Sequence, residues 1–404
     1  MQLPPLSPEQ QIKPRRFELR MSILYACLFI PNGIHLPYFP LWLEFQSFTP
    51  SEIAAIIAIP YFVRIFAGPA VSAWADRLPD RVPALLACAV LSVIASAGYF
   101  LQSTYLGVLV VSALLAIAWA AHTPLSDSIA LSGVRRYGVD YASMRIWGSI
   151  SFLLASIAGG YILAASGAGI VPWLLLGGLA TIVVATAFVP RLGRPRLAAP
   201  LPSEALPGAA FALRQPYFLL IIGAWALAQS SHAFGYAFSS IYWKTLGIDD
   251  GTIGLLWAFS VVAEVAMFLV VGKLLPHARP GTLLAIGTAV GLFRWVLFPL
   301  VWPLGLGVPG FYLAQGLHAF SFSLAFLGGQ KMFSQTVPEE RMGAAQGAAF
   351  FLVMGTLALF TLASGPLYGA YGVNGFFAMA LVSAVAVVLS LRALAYPQSA
   401  GSGG

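Results

Sequence analysis

Ser51-Glu-Ile-Ala-Ala-Ile-Ile-Ala-Ile-Pro-Tyr-Phe-Val-Arg64-Ile-Phe-Ala-Gly-Pro-Ala-Val-Ser72 is an almost unbroken apolar stretch with one arginine near its middle. A bilayer core asks for about 20 such residues per spanning helix. The stretch also has a second copy. Shifted by 200 positions it aligns without gaps on Gly251-Thr-Ile through Val-Val271-Gly272, and the shift sets Arg64 opposite Glu264. A repeat that keeps an intramembrane charge in the same register is the mark of a carrier built from two similar halves, with its site expected at the repeat interface.

Working outward, the rest of the chain has the same character. Of 404 residues 59% are hydrophobic and only 9% are charged, and the mean hydropathy is +0.85. Soluble domains carry about 25% charged residues. Apolar runs fall near 20–43, 52–74, 82–101, 105–131, 143–166 and 170–190, then near 217–243, 252–276, 281–303, 309–333, 343–369 and 373–396. The expected architecture is therefore an all-α membrane protein of twelve transmembrane helices in two pseudo-symmetric six-helix bundles. Residues 1–190 form the first bundle, 191–214 a linker rich in Pro and Arg, and 215–397 the second. Residues 398–404, ending Ser402-Gly403-Gly404, read as a vector-derived tail.

Charge placement sets the orientation. Lys13, Arg15, Arg16 and Arg20 precede the first span; Arg77 and Arg81 follow the second, Arg135 and Arg136 the fourth, and Arg191, Arg194 and Arg196 the sixth. Lys273, Arg279, Lys331, Arg341 and Arg392 continue on the same side, whereas the opposite loops hold only Lys244. The positive-inside rule then makes both termini cytoplasmic. A net charge of +7 thus reflects topology, and no nucleic-acid partner is expected. Cys27 and Cys88 both lie in apolar spans, so no disulfide framework is indicated. The opening residues lack the charged-then-apolar pattern of a signal peptide.

A charge inside hydrocarbon costs roughly 2.5–3.5 kcal/mol on insertion scales, so each one calls for a partner or a task. Only Asp127 and Glu264 of the fourteen acidic residues fall well within spans, with Arg64, Arg145 and Arg294 as basic counterparts. His35, His122, His232 and His318 are intramembrane too. Steps of three or four residues put Asn32, His35, Phe39 and Trp42 on one face of the first span, and Trp119, His122 and Ser126 on one face of the fourth. Gln229, His232 and Tyr236 share a face of the seventh, and Gln315, His318 and Phe322 one of the tenth. Faces mixing rings with hydrogen-bonding groups suit a small amphipathic solute, although a single histidine equally serves as a packing hydrogen bond. Asp127 and Arg145 are expected to pair, either to receive a solute or only to fix packing. Glu264 is the stronger proton-carrier candidate, because burial and a neighbouring cation pull a carboxylate's proton affinity in opposite directions. His318 is a candidate relay. Pro31, Pro37 and Pro40 are expected to interrupt the first helix. No triad, metal-ligand spacing or phosphate loop is present, so neither an enzyme nor a metal site is expected, and a membrane receptor without flux would not need the repeat.

Several motifs then carry a resemblance. They are His35-Leu-Pro-Tyr-Phe-Pro-Leu-Trp-Leu43, Pro124-Leu-Ser-Asp127, Asp140-Tyr-Ala-Ser-Met-Arg-Ile-Trp-Gly-Ser149 and Ser231-His-Ala-Phe-Gly-Tyr-Ala-Phe-Ser-Ser-Ile-Tyr-Trp243, with Val261-Val-Ala-Glu264, Phe293-Arg-Trp295 and Leu317-His318. Over nearly its whole length the chain resembles the phenylpropionate permease family of the major facilitator superfamily and, more distantly, the lactose permease group. The resemblance implies a proton-coupled importer in the cell inner membrane, working by alternating access as a monomer among membrane lipid. Its expected cargo is a small-molecule substrate, an aromatic carboxylate; a sugar or nucleoside symporter and a drug:proton antiporter are the alternatives. No cofactor beyond the coupling proton is expected. It implies substrate binding by Asp127 and Arg145 and proton coupling by Glu264, Arg294 and His318; with the polar faces, the expected substrate-binding residues are Asn32, His35, Tyr38, His122, Asp127, Arg145, His232, Tyr236 and Gln315. Ser321, His232, Gly235 and Gln315 stand where the lactose permease group has further charged residues, which leaves Glu264 as the principal proton candidate. Ser72-Ala-Trp-Ala-Asp76-Arg77 resembles the superfamily's gating loop motif, with Ser for its Gly. Gly159-Gly160 lack the Gly-Pro of drug antiporters, which favours symport.

Overall fold

The computed structural model describes residues 11–193, 216–337 and 342–396. Most of the expected linker, with Arg194 and Arg196, as well as Arg341 and the tail 398–404, lie outside the described residues. Among the described residues there are helices and no strands. In the first half they are α1 (Phe17–Phe45), α2 (Pro50–Ala75), α3 (Val82–Ala97), α4 (Tyr105–Trp119), α5 (His122–Tyr137), α6 (Tyr141–Ser166) and α7 (Val171–Ala187). The second half holds α8 (Pro216–Ser230), α9 (Ala233–Thr245), α10 (Asp250–Leu274), α11 (Pro280–Leu300), α12 (Gly307–Gly316), α13 (Ala325–Thr336), α14 (Met342–Tyr371) and α15 (Phe376–Leu394).

Among the described residues ten segments are long and apolar enough to cross a bilayer. One of them, Ala345–Leu394, contains two helices. The apolar segment Gly307–Thr336 is a further span, divided by a π-helical turn at Ala319–Leu324.

The interruptions fall only partly where prolines predict them: Pro124 leaves the Ala120 carbonyl without its helical donor at one break, but the other breaks carry no proline. Helix α1 runs through Pro31, Pro37 and Pro40 without a break. The fourth, seventh and tenth spans are the broken ones, at Ala120–Ala121, Ser231–His232 and Leu317–Leu324. His122, His232 and His318 each stand at one of these breaks. Proline removes one donor and crowds one carbonyl; packing around α1 absorbs that. In the first unit Gly33 lets α1 and α6 approach so closely that a Cβ there would stand 2.5 Å from the Phe152 carbonyl oxygen. The Ser156 hydroxyl donates to the Gly33 carbonyl at 3.0 Å across this contact, and the Tyr38 hydroxyl donates to the Ser156 carbonyl.

The chain divides into two compact units, Met1–Pro200 with Trp243–Ala258, and Leu201–Tyr242 with Phe259–Gly404. The repeat is visible in the turns before α2 and α10. Ser47 and Gly247 both take a left-handed conformation, at φ 64° and 78°. Ser47 N–H donates to the Glu44 carbonyl at 2.8 Å and Gly247 N–H to the Lys244 carbonyl at 3.0 Å. Two residues on, Thr49 caps α2 in a box with Glu52, and Asp249 caps α10 by accepting from Thr252. Every one of these pairs differs by 200 positions. The second unit packs around Phe218, Ile221, Trp225, Leu284 and Phe333.

Candidate functional site

Helices α1, α5 and α6 assemble one polar cluster in the first unit. Asp140 starts α6 by accepting from the backbone N–H groups of Ala142 and Ser143, which fixes Tyr141 and Arg145 on its first turns. The Tyr25 hydroxyl donates to Asp127 Oδ1 at 2.6 Å and the Tyr141 hydroxyl to the same oxygen at 3.0 Å. The expected ion pair of Asp127 with Arg145 does not form among the described residues. Arg145 instead lies over the Phe29 ring, 4.1 Å from its centre, and 5.7 Å from that of Tyr25. Aromatic faces attract a guanidinium, and two phenols satisfy the carboxylate. Tyr25 therefore links the two charges, its hydroxyl on Asp127 and its ring beside Arg145.

Further along, α1, α2, α4 and α6 enclose a cavity of about 130 Å³, lined by Asn32, His35, Tyr61, Arg64, Trp119 and Phe152 among others. Asn32 donates to the Leu28 carbonyl at 2.8 Å, which anchors its amide on the helix. His35 stacks on Phe39 at 4.5 Å and meets Trp119 edge-on at 5.6 Å. The Arg64 guanidinium lies 5.4 Å from the Trp119 ring centre. His122 is buried beside Ser92, with 3.4 Å between Nε2 and the hydroxyl, and its Nδ1 has no partner among the described residues. Tyr38 does not line this cavity; it is buried in the α1–α6 contact.

In the second unit Arg294 is the hub. Its Nε donates to the Ala314 carbonyl at 2.7 Å and its Nη2 to Gln315 Oε1 at 2.9 Å. Its Nη1 stands 3.4 Å from His318 Nδ1. A guanidinium only donates, so that contact makes His318 Nδ1 the acceptor and puts its proton on Nε2. Nε2 faces Glu264 Oε2 at 3.8 Å. His232 packs edge-on against His318 at 5.0 Å and stacks on Tyr236 at 5.9 Å. His232 Nδ1 donates to the Ala228 carbonyl at 3.0 Å, which leaves Nε2, 3.2 Å from the Ser321 hydroxyl, as an acceptor. The coupling residues expected from the sequence are thus brought together, with Gln315 beside them rather than apart.

At the loop motif, Asp76 pairs with Arg81 at 2.7 Å rather than with its neighbour Arg77. Among the described residues no three His, Cys, Asp or Glu side chains gather as a metal-ion set. The sequence alone does not single out Tyr25, Tyr61, Phe29 or Tyr141 as site residues. Tyr25 is within reach of the helical spacing, since it lies two turns before Asn32 on the same face of α1.

Residues 18–379 match the family described as "MFS_1 like family". The chain is 27% identical over 374 residues to the "Probable 3-phenylpropionic acid transporter" of Escherichia coli (strain K12), covering 91% of this chain and 96% of that relative. It is 26% identical over 284 residues to the maltose permease of Geobacillus stearothermophilus, covering 69% and 71%. Among solved structures it is similar to a point mutant of the nucleoside transporter NupG, with a TM-score of 0.81 at 18% identity over 94% of this chain and 99% of that one. A bacterial homologue of the human lysosomal transporter Spinster gives a TM-score of 0.71 at 13% identity, covering 96% and 98%. The fold is that of major facilitator transporters.

Proposed function

The chain belongs to the MFS_1 like family of major facilitator transporters, and we propose that it imports a small aromatic carboxylate together with a proton. The observation that carries the proton half is the line Glu264–His318–Arg294, a carboxylate 3.8 Å from an imidazole that already accepts from a buried guanidinium. Protonating Glu264 releases its attraction for His318, while Arg294 stays held by Ala314, Gln315 and the Trp295 ring. Such a line can hold or pass one proton without leaving a bare charge in hydrocarbon. The cargo half is supported by the aromatic lining of the α1–α2–α4–α6 cavity and by the similarity to the E. coli relative, a probable 3-phenylpropionic acid transporter. The Tyr25–Asp127–Arg145 cluster sets the conformation of α1 beside that cavity. The basic loops support a multi-pass protein of the inner membrane with both termini in the cytoplasm.

Reconstituted protein in vesicles tests this reading. With acid outside, labelled 3-phenylpropionate is expected to accumulate, and a protonophore to abolish the accumulation. Glu264→Gln is expected to lose uphill accumulation and keep exchange of labelled for unlabelled solute. Accumulation by Glu264→Gln would exclude Glu264 as the essential carrier. Extrusion of solute in exchange for protons would make the protein an antiporter.

A further inference from the structure

We infer that Arg64 is the carboxylate anchor of the solute site and that the cavity beside it accepts one aromatic ring. This rests on the reading of the cargo as an aromatic acid.

Of the three arginines within spans, two have protein surroundings that account for them. Arg294 donates to a carbonyl and an amide oxygen, and Arg145 lies against two aromatic rings next to a hydrogen-bonded carboxylate. Arg64 has neither arrangement. Among the described residues it makes no ion pair, and its buried Nε has no hydrogen-bond acceptor. Its one aromatic neighbour in cation–π range among them is Trp119. That contact is worth about 0.5–2 kcal/mol, less than the roughly 2.5–3.5 kcal/mol that a central arginine costs on insertion. A packing role alone therefore leaves the cost uncovered, and an anion from outside the chain is the missing partner.

The surroundings say which anion. Arg64 lines the cavity of about 130 Å³ together with Asn32, His35, Tyr61, Trp119 and Phe152, and no carboxylate of the described residues lines it. An apolar cavity of about 150 Å³ holds a benzene molecule, so the space suits a single ring and not a large conjugated system. Tyr61 lies one turn before Arg64 on α2, so a phenol and a guanidinium are offered side by side. Guanidinium binds carboxylate through paired N–H donors, which a neutral amide cannot reciprocate. Arg145, the acid-binding arginine implied by the resemblance, does not line this cavity.

The test measures binding of 3-phenylpropionate, 3-phenylpropanamide and hexanoate to the purified full chain in detergent, by tryptophan fluorescence and calorimetry. The parent is expected to prefer the acid over the amide by about tenfold or more, the range of a charge-assisted hydrogen bond. Arg64→Gln should bring the two affinities together while still binding the amide, which also reports that it is folded. Arg64→Lys should restore part of the preference, and Arg145→Gln should weaken acid and amide alike. An unchanged acid-to-amide ratio in Arg64→Gln, or a ratio lost only in Arg145→Gln, overturns the assignment. Hexanoate binding that depends on Arg64 without binding of the aromatic acid keeps the anion anchor and removes the aromatic reading. Binding of no carboxylate at all overturns both.

Discussion

The Tyr25 hydroxyl, fully buried in α1, donates to Asp127 at 2.6 Å and so takes the place that an arginine would otherwise fill. Hydrogen bonds to a charged group are worth about 1.5–3 kcal/mol. Tyr25→Phe is therefore expected to destabilise the protein by about that amount, read as a lower melting temperature in detergent. Tyr141→Phe should cost less, because its 3.0 Å bond is longer and its ring more exposed. A double-mutant cycle with Asp127→Asn checks the order directly. Coupling to Arg145 that exceeds coupling to Tyr25 would contradict it.

Gln315 holds Arg294 Nη2 at 2.9 Å in a buried setting. Gln315→Leu removes the acceptor and leaves a buried charge short of a partner, at a cost of about 1.5–3 kcal/mol. Gln315→Glu restores an acceptor within the same reach. Thermal unfolding should rank the Leu variant well below both the parent and the Glu variant.

Ser47 and Gly247 occupy the same left-handed turn 200 positions apart, yet only one is a glycine. A side chain in that conformation costs about 1–2 kcal/mol relative to glycine's freedom. Ser47→Gly should raise the apparent melting temperature, and Gly247→Ser should lower it although open space surrounds that glycine. Equal responses in the same direction would show that packing, not backbone conformation, decides these turns.

Asp249 lies in the turn before α10. Hydrogen bonds from the Thr252 hydroxyl, then from its backbone N–H, hold the Asp249 carboxyl below the ordinary carboxylate range. The bonded form is the ionised one, so its contribution is present above that range and is lost as pH falls through the lowered value. The site is largely open to solvent, which keeps the effect small. Between the parent and Asp249→Asn, the stability gap should favour the parent near neutrality and close below about pH 4. A gap that widens in acid would reverse the sign of the argument.

The spans were legible because hydrocarbon tolerates so few alternatives to a long apolar helix. Arg64 opposite Glu264 was legible for the same reason, since an intramembrane charge stands out against its neighbours. The breaks were legible only in part. Pro124 marks the one at Ala120-Ala121, since it cannot donate to the Ala120 carbonyl. Ser231-His232 and Leu317–Leu324 carry no proline, whereas α1 carries three and stays whole, because tertiary packing overrides local propensity there. Tyr25 was hidden for a different reason. A tyrosine among Leu and Ile reads as core, and only the position of Asp127 on another helix turns it into a donor. Pairing Asp127 with Arg145 followed charge alone and left out the aromatic faces of Phe29 and Tyr25, which compete for the guanidinium.

The shared register of Arg64 and Glu264 carries an energetic consequence. One repeat holds a permanently positive group and the other, at the equivalent place, a group that can be neutralised. On the function proposed above, a carboxylate anion on the first and a proton on the second add up to cargo with no net charge. Movement of that cargo is electroneutral: the membrane voltage, worth about 2.3 kcal/mol per charge per 100 mV, neither helps nor opposes it. A carrier built this way answers to the acidity difference across the membrane and is blind to its potential.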